Sequence, residues 1–236
     1  MRRILTSILI VSALCLGAAA PSAFAEDAPT YVTIPKPAAG TGVLVVMPDV
    51  SLSILTAAGG RDPKEEWSQS ARKFLNDSLT TALQARKYTT SSIDLVNYED
   101  PRAVQMLKLN SAVTDSITMN QSTIYKMPTK IGFNWTLGDG VSTLVPATAN
   151  PAPAYALFVR ANGSYSSGGR AAMMIGMAAL GVSMPMGGQS IQASLIDLKS
   201  GQVVWYKLMV VPAGTDIRVA EGAGTAVNDL IKQLPL

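Results

Sequence analysis

Histidine is absent from the 236 residues, and there is one cysteine, Cys15. Without histidine there is no imidazole acid or base, no Ser-His or Cys-His nucleophile, and no ordinary His-ligated zinc site. A lone cysteine near the amino terminus leaves no disulfide framework and no thiolate chemistry in the body of the chain. Charge is also scarce, at 15% of residues. The formal net charge is +3, but Arg2 and Arg3 fall in a leader described below; setting them aside leaves 17 cations against 16 acids. That balance has no basic excess to grip a phosphate backbone, so nucleic acid is not an expected partner. No Gly-x-Gly-x-x-Gly and no Gly-x-x-x-x-Gly-Lys-Ser/Thr occurs, so no nucleotide or other cofactor is expected. What is plentiful is apolar side chain, at 48%, which is globular composition.

The amino terminus reads as an export signal. Arg2 and Arg3 precede an apolar stretch from Ile4 to Ala20, and Ala23-Phe24-Ala25 forms a small-x-small cleavage site. Cleavage is expected after Ala25, with 1–25 removed. The apolar core is shorter than the roughly 20 residues a membrane span needs. Lipidation of Cys15 is not expected, because Leu14 rather than a small residue precedes it and Ser12 lies three back. Residues 26–41, with Pro29, Pro35, Pro37 and Gly40, read as a flexible tether.

From 42 to 236 the pattern predicts one α/β domain: a mixed sheet of about five strands packed with helices. Val43 to Met47 reads as a strand buried on both faces, ending at Pro48-Asp49, with a loop through Gly59-Gly60 after it. Asp62 as N-cap, Pro63 at the first helical position and Glu65 three past the cap predict a helix from about 63 to 87. Trp67, Ala71, Phe74, Leu75, Leu79, Ala82 and Leu83 supply its apolar stripe. A strand over Ile93 to Val96 and a helix opened by Pro101 follow, and 130–154 is turn-rich. Tyr155 to Val159 is a second central-type strand. Ser190 to Leu198 and Val203 to Val211 are strands joined in a hairpin at 199–202. The last helix is expected over about 218–234, with Val219, Ala223, Val227, Leu230 and Ile231 inside.

Carboxylates are the acid/base groups left to an enzyme: Asp94 with Glu99 and Asp100, Asp139, Asp197, and Asp216 with Glu221. A periplasmic hydrolase using carboxylates or a serine is therefore an alternative class. Turn and cap roles account for the same residues, Asp197 in the hairpin and Glu99-Asp100 before a helix.

The apolar segment 171–186 holds five of the eleven methionines: Met173, Met174, Met177, Met184 and Met186. Its leading reading is a core helix across the sheet, since Met173, Met177 and Leu180 fall at helical spacing. A second reading is an adaptable contact for a partner or a membrane. A third is thioether coordination of Cu(I), a Met-based copper protein. The candidate contact residues are Tyr165, Arg170 and the five methionines.

Several stretches carry a resemblance. Val43-Leu-Val-Val-Met-Pro-Asp-Val50, then Leu55-Thr-Ala-Ala-Gly-Gly60, Asp62-Pro63 and Trp67, resemble the opening of a group of uncharacterised proteobacterial envelope proteins. Phe133-Asn-Trp-Thr-Leu-Gly138, Tyr155 to Val159 and Ser167-Gly-Gly-Arg170 resemble their middle; Ser194 to Trp205 and Asp216-Ile-Arg218 resemble their end. More distantly, the layout is similar to curli-export lipoproteins, penicillin-binding-protein activator lipoproteins and the amino-terminal domain of TolB, through the hairpin Asp197-Leu-Lys-Ser-Gly201. The resemblance implies a strand-helix sandwich and a non-enzymatic accessory protein, periplasmic or at the outer membrane. Such a protein supports assembly or export by binding an envelope protein or a membrane surface. Ring-forming relatives add homo-oligomerisation as an option. No catalytic or ligand residue carries over.

Overall fold

Strand β1, Gly42–Val46, is buried at every position, and its side chains alternate between two cores. Val43 and Val45 face one; Leu44 and Val46 face the other. A five-residue apolar run with no polar face can only lie in the middle of a layered structure. The computed structural model describes residues 30–95, 100–122, 124–145, 149–183 and 187–236. The expected signal peptide, and Met184 and Met186, lie outside these.

The sheet is mixed and holds seven strands in one domain, with helices on both faces, so the α/β expectation is borne out. Its centre is β5, Tyr155–Ser166. On one side, β5 pairs in parallel first with β1 and then with β2, Asp49–Leu55. On the other side it pairs antiparallel with β6, Gln189–Asp197, which pairs in turn with β7, Val203–Val210. The short strands β3, Arg61–Pro63, and β4, Thr89–Ile93, flank β2 and β1.

Helices α1, Glu65–Ala85, and α4, Ala220–Leu230, cover one face over Leu75, Leu79, Leu83, Trp205, Val227 and Leu230. Helix α2, Pro101–Gln121, and the segment through the 3-10 turn Asp139–Leu144 cover the other, over Ile117, Leu144, Phe158 and Tyr206. Among the described residues, no helix is long and apolar enough to cross a membrane.

Several boundaries differ from expectation. Residues 49–55 are a strand, not a loop; Val50 and Leu52 are buried at alternate positions while Ser51 is exposed. Asp62 and Pro63 do not start α1. They belong to β3, opposite Ile54 and Ser53, and α1 begins at Glu65 behind Lys64 with no side-chain cap. Pro63 is tolerated there because an edge strand can lack one N–H. Strand β4 lies at 89–93, earlier than expected. Val219 is half exposed, outside α4, which begins at Ala220. The described part of the tether is docked: Val32 N–H donates to Val204 O, Tyr206 N–H donates to Thr30 O, and Val32 and Ile34 pack against the cores.

Candidate functional site

Beyond its pairing with β2, β5 runs into a helical excursion before the chain returns as β6. Ser167 N–H donates to Leu55 O, and Ser167 Oγ accepts from Arg170 N–H at 3.1 Å. That hydroxyl caps helix α3, Gly168–Ala179. The helix ends in a Schellman motif. Gly181 sits at φ +75°, its N–H donates to Ala178 O, and Val182 N–H donates to Met177 O. The return is tight at Gly187, where a Cβ would meet Ser164 O at 2.1 Å, and Ser164 N–H donates to Gly188 O. Both stems of α3 are thus fixed to the sheet, and the helix is about 18 Å long at 1.5 Å per residue.

The core reading of 171–186 is overturned for its described part, 171–183. Ile175 and Leu180 are 75% exposed, and Met173 and Val182 nearly half. Met174 and Met177 are half-buried, and Arg170 is the buried residue of the helix. Among the described residues, no other helix or strand packs extensively on α3. Helical spacing of the methionines could not reveal this, because a helix apolar on every side has no stripe to mark an inner face. Ala171 to Ser183 also carries no charge.

Arg170 faces the body, where its Nη1 approaches Thr56 O at 3.4 Å. Tyr165 is not on the α3 surface either. It sits at the base, half-buried, where its hydroxyl lies 2.7 Å from Gln189 Oε1 and 2.9 Å from Asp216 Oδ1. The Arg218 guanidinium stacks 3.7 Å from the Tyr165 ring centre and 4.4 Å from that of Trp67. The two rings meet edge to face at 5.5 Å. Asp216 accepts from Arg218 Nε at 2.9 Å, from Nη2 at 2.7 Å and from the Arg218 backbone N–H. These bonds from Arg218 hold the Asp216 carboxyl down at about 2, against the opposing pull of burial. Burial first, then the hydrogen bond to Asp216, pushes the Tyr165 phenol well above its ordinary range. The cluster is an internally neutral clamp that ties β5 to α1 and to the entry of α4. Its parts stood in the sequence as separate features, because Trp67, Tyr165 and Arg218 are brought together only by the sheet.

Two of the other candidate carboxylates also have structural partners. Asp197 Oδ1 accepts the N–H groups of Lys199 and Ser200 in the hairpin, and Asp100 caps α2 through Arg102 N–H. Glu99 lies outside the described residues. No group of three Asp or Glu side chains among the described residues is placed to hold a metal.

Under α2, Ser194 Oγ donates to Asn110 Oδ1, Gln192 Nε2 donates to Tyr206 Oη, and the Arg160 guanidinium bridges Ser111 and Asp115. The cavity beside Arg160 has a volume of about 20 Å³, room for about one water.

No protein-family model and no curated protein matches the chain. Similar solved structures include a neuraminyllactose-binding hemagglutinin homolog from Helicobacter pylori, 10% identical, covering 86% of this chain and 88% of that one at a TM-score of 0.44. The PelC dodecamer of Paraburkholderia phytofirmans is 13% identical over 87% of this chain and 96% of that one, at 0.35. A Neisseria meningitidis lipoprotein is 13% identical over 82% and 97%, at 0.36. None of these names is that of a curli-export lipoprotein, a penicillin-binding-protein activator or TolB. At these scores no residue role transfers.

Proposed function

We propose that this is an exported, non-enzymatic accessory protein of the cell envelope that binds another envelope component through α3. The observation that carries the reading is a helix, 168–179, whose residues after the buried Arg170 carry no charge, anchored at both ends and left uncovered among the described residues. Full burial of an Ile or Leu side chain stabilises a contact by about 1.5–3 kcal/mol. Monomeric proteins rarely leave such residues grouped in solvent without a use for them. Met173, Met174 and Met177 add flexible, polarisable side chains suited to an adaptable contact. The export reading rests on the leader pattern in 1–25. The non-enzymatic reading is supported by the lack of histidine and by the structural ties of Asp100, Asp197 and Asp216.

Fractionation of the native envelope tests the proposal. The parent protein is expected to sediment with membranes or a large assembly. In envelopes washed with high salt, which weakens contacts that depend on headgroup charge, Met173→Asp with Ile175→Asp is expected to release it into the soluble fraction while leaving its unfolding temperature unchanged. A released parent protein, or a double variant that still sediments, would overturn the assignment of α3.

A further inference from the structure

A second exposed apolar surface lies away from α3, in the loop after α2. Ile124 is 84% exposed, Tyr125 62%, Met127 41% and Ile131 85%. These side chains alternate with Lys126 and Lys130, and no acid occurs between Asp115 and Asp139. The loop is braced. Met127 N–H donates to Oδ1 of the buried Asn120 at 2.8 Å, and Lys130 N–H donates to Met127 O. Lys130 Nζ donates to Asn134 O and lies 4.1 Å from the centre of the Trp135 ring. The apolar tips are therefore held out by hydrogen bonds to the body.

We propose that residues 124–131 rest on a lipid surface bearing anionic headgroups, with Ile124, Tyr125 and Ile131 at the acyl boundary and Lys126 among the headgroups. The pattern fits this occupant because lysine reaches to the headgroup layer while neighbouring apolar side chains insert. Tyrosine favours the same depth, one end apolar and the other wet. The acid-free, lysine-bearing stretch complements a negative surface and meets no repulsion from its own sequence neighbours. The exposed part of α3, after the buried Arg170, carries no charge and lacks this electrostatic component, so the two surfaces have separate signatures.

Vesicle co-sedimentation of the protein in its exported form tests the proposal. Phosphatidylcholine vesicles are compared with vesicles that also contain phosphatidylglycerol. The protein is expected to bind the anionic vesicles more tightly, and added salt is expected to weaken binding. Lys126→Gln should reduce partitioning about fivefold. Ile124→Ser with Ile131→Ser should reduce it roughly tenfold or more. Ile175→Asp in α3 should leave it unchanged. Should the double serine variant fail to fold, Lys126→Gln, at an exposed residue, decides the matter. No binding to anionic vesicles would overturn the proposal. So would equal binding to both vesicle types with no effect of Lys126→Gln, or loss of binding through Ile175→Asp alone.

Discussion

Asp216 illustrates how a single side chain is used here. In sequence it pairs with Glu221 as a possible acid/base couple; in space its partner is Arg218, whose own charge is shared with the Trp67 and Tyr165 rings. The carboxyl falls from its ordinary 3.8 to about 2. A lowered folded-state value gives stability that is present above pH 3.8 and lost as pH falls through 2. About a third of the side chain is exposed, so solvent screening cuts the effect to about 1 kcal/mol. Asp216→Asn is expected to destabilise the protein by about that amount at neutral pH. The deficit should shrink between pH 4 and pH 2. Denaturant unfolding at several pH values checks this, and a pH-independent deficit would mean that charge is not the cause.

At the scale of elements, close packing decides what local propensity cannot. Gly222 lies in the first turn of α4, where alanine ordinarily favours a helix by about 1 kcal/mol. A Cβ there would meet Asp216 O at 2.0 Å, so the turn that carries Asp216 and Arg218 would have to move. Gly222→Ala is expected to destabilise by about 1–3 kcal/mol, measured as a lower unfolding midpoint. The same competition explains the misplaced start of α1. Asp62-Pro63-Lys64-Glu65 reads as a capping box, yet β2 recruits Asp62 and Pro63 into a hairpin. Strand β2 was itself legible: Val50, Leu52 and Ile54 alternate with polar residues, and Pro48 hid the signal by seeming to end the strand. The polar extension of β5, Asn162 to Ser166, is held as a strand by β2 along its whole length and by β6 at Asn162 and Gly163. Local residues alone do not report such a partner. The inner stripes of α1 and most of α4, the β6–β7 hairpin and the Pro101 helix start rest on local periodicity and turn chemistry, and they were readable.

For the whole molecule, the two sheet faces bury their helices and leave α3 and the 124–131 loop among the apolar surfaces without cover in the described residues. Apolar content of 171–186 was visible in the sequence, but its exposure was not, because exposure depends on which elements approach. The most direct measurement is solvent access at α3. Ile175→Cys in a Cys15→Ser background places one thiol on the exposed helix, with Lys199→Cys on the exposed hairpin as the control. The account predicts rapid maleimide labelling of Ile175→Cys in the purified protein and strong protection in intact envelopes, with Lys199→Cys labelled in both. Equal labelling of Ile175→Cys in both settings would show that nothing in the envelope covers α3, and would contradict its role as the binding surface.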